Sequence, residues 1–270
     1  LIGGSGGKRM TTEAILRLGV FFGIFLAMAL WERGVPKRAL AVPRVGRWST
    51  NWAISIINAV MVRLLFGAAA VGAAVDALAG GWGLFNRLDW PGWLEFALAF
   101  LLLDFAIWLQ HLLSHKIPVL WRLHRVHHAD RDMDVTTAIR FHPIVIALSM
   151  WLKIGLVYAL GIPVAAVVAF EVVLNGAAMF NHANVRLPGA VDRWLRWLIV
   201  TPNMHRVHHS VNRAEHDANY GFNLSIWDRV FHTYVDQPAK GHGAMTIGLP
   251  LYQDDGPTRL IWSLAFPFQK

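Results

Sequence analysis

Five apolar runs divide the chain, near residues 14–31, 52–80, 92–110, 143–160 and 164–181. A helix of about 20 apolar residues covers roughly the 30 Å of hydrocarbon in a bilayer, so each run crosses or nearly crosses. The last two runs are joined by Gly161-Ile162-Pro163, a turn signal placed where a helical hairpin would reverse. Of the 270 residues, 55% are apolar and 16% charged, and the mean hydropathy is +0.41. That is too apolar for an ordinary soluble domain of this length. The expected fold class is all-α, an integral membrane bundle of about four to five transmembrane helices.

Orientation follows from basic residues, because Lys and Arg in short loops are retained on the cytoplasmic side. The loop after the first run carries Arg33, Lys37, Arg38, Arg44 and Arg47, which makes it cytoplasmic. Counting crossings from there, His111 to His142 and everything from His182 onward emerge on that same side. The net charge of +8 fits basic groups beside anionic headgroups. No basic stretch is interleaved with aromatics on a polar surface, so no nucleic-acid partner is expected. The chain has no cysteine, which excludes a disulfide framework, a thiolate zinc site and a cysteine-ligated iron–sulfur cluster. The opening stretch LIGGSGGKRM is expected to be a linker or non-native start over residues 1–9, ahead of Met10.

The word His-Arg-Val-His-His occurs twice, at His124 to His128 and at His205 to His209. On a helix, residues three and four apart share a face, so each word projects three imidazoles together. His111 and His115, four apart, add a pair. A given window matches this spacing by chance on the order of once in 10,000, so two copies call for a chemical reason. His216, His232 and His242 stand alone and default to structural or surface roles.

Imidazole is a borderline ligand that suits iron, zinc, copper and nickel, and one zinc takes four ligands. Eight clustered histidines therefore imply two metals. The zinc-hydrolase words H-E-x-x-H and H-x-x-E-H are missing. A haem pair would need single histidines on opposed helices. A phosphoester hydrolase would need carboxylate ligands that are not evident. A non-redox metal transporter or sensor is the alternative reading, but the run from Pro143 to Met179 offers only Lys153, Glu171 and Asn175 as a polar track. The constellation points to two irons at the cytoplasmic end of a helix bundle, within reach of a lipid tail.

The boxes and the words around them, LWRLHRVHHAD, TTAIRFHP, FNHANVRLP, TPNMHRVHHS and NYGFNLSIWDRVFHTY, resemble the fatty acid hydroxylase and sterol desaturase superfamily of membrane non-haem diiron enzymes, over roughly Phe96 to Asp236. The resemblance implies a four-helix membrane core with a cytoplasmic helical cap. Carried over by position, the metal ligands are His111, His115, His124, His127, His128, His205, His208 and His209, with His182 as a ninth. His142 is the next candidate, as a ligand, a donor behind the ligands or a helix cap. Asn184 is another, through its carbonyl or a water. The chain departs from the pattern at His182, where some relatives have two histidines four apart. It departs also at Val145, where many carry Glu, and at His232, where Gly is common.

Ionisable residues within apolar runs are costly and point to function. Asp104 lies two helical turns before His111, and Glu171 and Asn175 are similarly phased with His182. Such carboxylates either accept the outer imidazole N–H behind a metal or pair between helices, with Arg63 or Lys153 as partners. The expected domain order is N-terminal transmembrane helices and a basic loop over residues 10–90, a catalytic domain over 91–236 and a cytoplasmic tail over 237–270.

The expected activity is O2-dependent hydroxylation or desaturation of a C–H bond in a lipid, sterol-like or other long-chain substrate that enters from the bilayer. Two iron ions (Fe2+/Fe3+) are the expected cofactor. Lacking cysteine and a dinucleotide fingerprint, the chain would take electrons from an external donor, a ferredoxin- or cytochrome-type protein. A bacterial inner membrane, with the histidines facing the cytoplasm, is the expected location.

Overall fold

The computed structural model describes the backbone of residues 4–269 and the side chains of residues 15–269. Of the expected linker, residues 1–3 and all the side chains lie outside the described residues. The helices that frame the site are α1 (Gly4–Gly34), α2 (Arg44–Phe66), α3 (Ala69–Gly80), α4 (Gly92–Lys116), α5 (Pro118–His128), α6 (Pro143–Leu160), α7 (Val164–His182), α8 (Gly189–Leu195) and α9 (Pro202–His208). Among the described residues there is no β-strand, only isolated bridges. Five helical stretches are long and apolar enough to cross a bilayer, with α2 and α3 together forming the second. Leu64, Trp93 and Trp151 are exposed on their outer faces, as lipid-facing side chains would be.

The run expected over 52–80 differs in two ways. It starts earlier, at Arg44, because the first turns of α2 are polar and buried at Arg47, Thr50 and Asn51. It also breaks at Gly67, which takes a left-handed φ of 56° and separates α2 from α3. The passage is still single. Asn58 donates to the Phe141 carbonyl, Phe66 meets the Trp151 ring edge-on, and Tyr158 donates to Asp76. These contacts run from the residue pair just before α6 down along it, so α2–α3 and α6 descend side by side. Ala70, Ala73, Ala74 and Ala77 leave room for α3 to approach its neighbours closely.

The expected hairpin turn closes as a left-handed cap. Gly161 has φ 70°, and its N–H donates to the Val157 carbonyl at 2.8 Å. Gly83 crosses it so tightly that a Cβ there would lie 2.0 Å from the Gly161 nitrogen. The turn thus lies at the end of the bundle away from the histidines.

At the other end, the Glu32 carboxylate accepts the N–H groups of Val135 and Asn184 at 2.7 and 2.8 Å, tying two cap loops to α1. Arg47 is 1% exposed and forks onto both oxygens of Asp130 at 2.5 and 2.9 Å, with Asp134 at 2.7 Å. Burial alone would raise the Asp130 carboxyl, but Arg47 pulls it below its ordinary value. Arg140, also buried, donates to Val126, Asn51, Pro257 and Ser263. The segment after residue 236 is thereby folded onto the cap, and Phe266 is fully buried against it. The basic loop is only partly a headgroup-facing surface, since Arg47 is consumed by these aspartates and Arg38 donates to the Met245 carbonyl at 2.9 Å.

Arg47→Met would strand two carboxylates in the cap. The expected loss is about 3–5 kcal/mol, the cost of breaking a buried ion pair from one side, and a lowered Tm in detergent would register it.

Candidate metal centre

Both histidine words sit on short helices with proline in the first turn, where its missing N–H costs nothing. For α9, the Thr201 hydroxyl accepts the Met204 N–H at 3.3 Å and fixes the start. The long helices α4 and α7 deliver His111, His115 and His182 at their cap-side ends.

The imidazoles converge as two buried groups. His111, His115, His124, His128 and His208 form the first, and His127, His182, His205 and His209 the second, with the nitrogens of each group within 4.8 Å of one another. Each word is divided. The first sends His124 and His128 to one group and His127 to the other; the second sends His208 to the first group and His205 and His209 to the second.

Spacing, tautomer and valence all fit a metal pair. The Nε2 atoms of His111 and His124 are 3.1 Å apart, as are those of His127 and His182 and those of His182 and His205. Two nitrogens bound at about 2.1 Å to one ion, at angles between square and tetrahedral, stand roughly 3.0–3.4 Å apart. The Nδ1–H groups of His111, His182 and His208 donate to the carbonyls of Tyr220, Ala178 and Ala218 at 2.7 Å, and that of His127 donates to Arg140 at 3.2 Å. Each such bond leaves the Nε2 lone pair facing inward. The Nε2 atoms of His115, His128, His208 and His209 are buried without a hydrogen-bond partner among the described residues. Burial first, then neighbouring imidazoles, hold His124, His127, His128, His205 and His209 well below the ordinary imidazole value. They are neutral, as ligation requires.

The groups expected behind the ligands have other tasks. His142 stands outside both clusters. Its Nδ1 accepts the Ile144 N–H at 3.3 Å and its Nε2 faces the Leu264 carbonyl at 3.2 Å, so it caps α6 and ties down the tail. Asp104 accepts the Trp227 indole N–H at 2.8 Å. Asn184 accepts the Arg38 N–H and donates to the Arg38 carbonyl at 2.8 Å. Glu171 pairs with Lys153 at 2.8 Å and with Arg17, both far from the imidazoles. Backbone carbonyls take the role expected of carboxylates, because helix ends and loops near the site present oxygens that would otherwise go unbonded.

One word acts through backbone. Asp228 accepts the N–H groups of Tyr220 and Gly221 at 2.8 Å and the Trp108 indole N–H at 3.0 Å, which sets the Tyr220 carbonyl on His111. His232, where Gly is common, has φ 58°, a left-handed backbone that favours Gly. The sequence does not single out Asp217, whose carboxylate lies 3.6 Å from His115 Nδ1, and leaves His216 to a structural or surface role, although it joins that pair as a third, partly exposed group. Only the folded chain brings these two beside α4.

A cavity of about 530 Å3 runs from the first group into the bundle, and of the nine clustered histidines His111 and His124 alone line it. Phe141 stacks on His127 with centroids 4.3 Å apart, and Phe222 lies 4.9 Å from His111, so aromatic rings screen the imidazoles.

His208→Ala and His127→Ala are each expected to lower metal content by about one ion per chain, whereas His142→Ala leaves it intact; elemental analysis of purified protein checks both. Above about pH 6.5 imidazole is neutral in the folded and unfolded chain alike. Below that value the unfolded chain takes up protons that the buried clusters refuse, so stability and bound metal both fall with pH. Tm and metal content followed from pH 8 down to about pH 5 should decline together.

The chain matches the fatty acid hydroxylase family over residues 96–233, just over half its length and including all nine clustered histidines. It is 32% identical over 151 residues to the ornithine lipid hydroxylase OlsE of Rhizobium tropici, a stretch that covers 56% of this chain and 44% of that protein. It is 34% identical over 160 residues to the alkylglycerol monooxygenase of Homo sapiens, covering 58% and 34%. The Xenopus tropicalis alkylglycerol monooxygenase is 32% identical over 155 residues, covering 57% and 33%. The chain spans less than half the length of these relatives. No solved structure matches it. With the match running from within α4 through both histidine words to the Asp228 clamp, the chain belongs to the fatty acid hydroxylase family, within the fatty acid hydroxylase and sterol desaturase superfamily.

Proposed function

We propose that this chain is a membrane-bound diiron oxygenase that hydroxylates, or desaturates, a C–H bond of a lipid or other long-chain substrate. The observation that carries the reading is the pair of all-imidazole groups side by side at the inner end of an intramembrane cavity. His111, His115, His124, His128 and His208 would hold one iron; His127, His182, His205 and His209 would hold the other. Iron so held supplies the redox chemistry by which O2, with two external electrons, removes hydrogen from an unactivated C–H bond.

The chain's own residues do the rest. Four backbone carbonyls fix imidazole orientation, and Phe141 and Phe222 keep water from the reacting end. The cavity presents His111 and His124, so the oxidised carbon faces the first group. In hydroxylation one oxygen atom enters the C–H bond and the other leaves as water, with two electrons and two protons from outside the chain. Formation of an alkene would use the same electrons and release both oxygen atoms as water. A separate ferredoxin- or cytochrome-type protein is the proposed donor.

The names of the relatives, ornithine lipid hydroxylase and alkylglycerol monooxygenase, support a lipid substrate. Residues 91–236 form the proposed catalytic domain, with the histidine cap on the cytoplasmic face of a bacterial inner membrane.

Purified anaerobically with iron supplied, the chain should bind about two irons. Lipid extract given O2 and a reductant should then yield a product heavier by one oxygen atom or lighter by two hydrogens. One iron or none after reconstitution would sink the diiron reading.

A further inference from the structure

Two apolar spans end at one cleft on the cap. Val35 and Lys37 follow α1 directly, Arg186 stands four residues beyond α7, and the Arg186 N–H donates to the Val35 carbonyl at 3.0 Å. With α8 and the start of α9, these segments enclose about 820 Å3. The walls carry Lys37, Arg186, Arg193 and Arg196 against two carboxylates, Asp192 and Asp236. Arg196 pairs with both of them. Lys37, Arg186 and Arg193 are left without an ion pair among the described residues. Beneath them Asn203, on the wall, accepts from the fully buried Arg206 at 2.8 Å, and no carboxylate pairs with that guanidinium among the described residues. What such a wall binds is an anion.

An apolar band borders the cleft. Trp194 of α8 and Trp197 and Leu198 just beyond it are 77%, 60% and 70% exposed. The Leu198 carbonyl accepts the Ser225 N–H at 3.2 Å, and Arg229 stacks over Trp197 at 4.2 Å, so the band lies against the short helix Ile226–Val230. That helix rests on the flank of α4. Trp227 donates to Asp104 at 2.8 Å, and Phe231 stacks on Trp108 with centroids 4.6 Å apart. Asp104 precedes His111 by seven residues within the α4 span, about 10 Å toward the membrane. The band therefore stands at the edge of the hydrocarbon, with the cations beside the span ends. Exposed tryptophans next to Lys and Arg are the composition of a membrane interface.

We propose that this edge of the cap is a lipid-docking surface: Trp194, Trp197 and Leu198 sit in the bilayer interface, and Lys37, Arg186 and Arg193 bind the phosphate of an anionic phospholipid whose headgroup occupies the cleft. The cleft shares no lining residue with the cavity that meets His111 and His124. The lipid held here is a bound ligand away from the imidazoles, and its binding does not depend on the oxygenase reading.

The test is equilibrium binding of tail-labelled phosphatidylglycerol to the purified chain in mild uncharged detergent, with unlabelled phosphatidylglycerol, phosphatidylcholine and inorganic phosphate as competitors. Phosphatidylglycerol should compete at about a tenth of the phosphatidylcholine concentration or less. Lys37→Gln, Arg186→Gln and Arg193→Gln should each weaken phosphatidylglycerol about two- to fivefold. The triple variant should lose the preference while phosphatidylcholine competes as before. Equal competition by the two lipids would overturn the proposal and leave the cleft to an acidic protein, and displacement by inorganic phosphate as readily as by phosphatidylglycerol would overturn it in favour of a free phosphate ligand. A preference that survives in the triple variant would overturn it as well. Because the chain has no cysteine, Leu198→Cys offers a single site for a nitroxide label. In vesicles of phosphatidylglycerol and phosphatidylcholine the label should be reached more readily by O2 than by a water-soluble nickel chelate, and the reverse order would remove the band from the bilayer.

Discussion

Nine imidazoles buried together in one cap are the constraint on which the remainder of the structure depends. Neutral and crowded, they offer more lone pairs than the protein can satisfy, and several Nε2 atoms have no hydrogen-bond partner among the described residues. A buried unsatisfied polar atom costs about 1–3 kcal/mol, so the cluster by itself works against folding, and metal ligation of the kind proposed would offset that cost. The second layer is built accordingly. Carbonyls of Tyr220, Arg140, Ala178 and Ala218 each hold an Nδ1–H and turn the opposite nitrogen inward.

Those carbonyls are useful only if their own segments are rigid, and buried charge provides the rigidity. Arg47 clamps Asp130 and Asp134, and Arg140 is held by Asn51, Val126, Pro257 and Ser263 while its carbonyl positions His127. Asp228 does the same for the Tyr220–Gly221 backbone and so for His111. The cap is thus a polar structure built on an apolar bundle. Helix ends supply three of its imidazoles from the membrane side, and the cavity that reaches them passes between the same helices.

The bundle contributes more than an anchor. Close contact of α3 with its neighbours through Ala70, Ala73, Ala74 and Ala77 fills the far half of the membrane region. The space beside α1, α6 and α7 nearer the cap is left open, and Lys153, Glu171 and Arg17 line its far part. Between the imidazole cluster and the charged cluster the wall is mainly apolar, with Ser55, Asn58, Gln110, Ser114 and Ser149 interspersed.

By itself the sequence determined that the chain is helical and membrane-embedded, that Gly161-Ile162-Pro163 reverses it, and that both histidine words reach one end. Hydrophobic run length and the 3.6-residue period are local properties, written directly in residue order. The spacing also gave the identity of the clustered histidines, because ligands on one helical face must recur at three and four. Tertiary structure alone decided how they are shared. Each word faces two imidazole groups at once and is divided between them, which no single helix can reveal. It also decided that His142 caps a helix, that Asp104 holds Trp227, that Glu171 belongs to the far end of the cavity, and that Asp217 stands beside His115. A polar side chain in an apolar run must find a partner, but which partner depends on contacts between segments as much as 154 residues apart, as for Arg17 and Glu171.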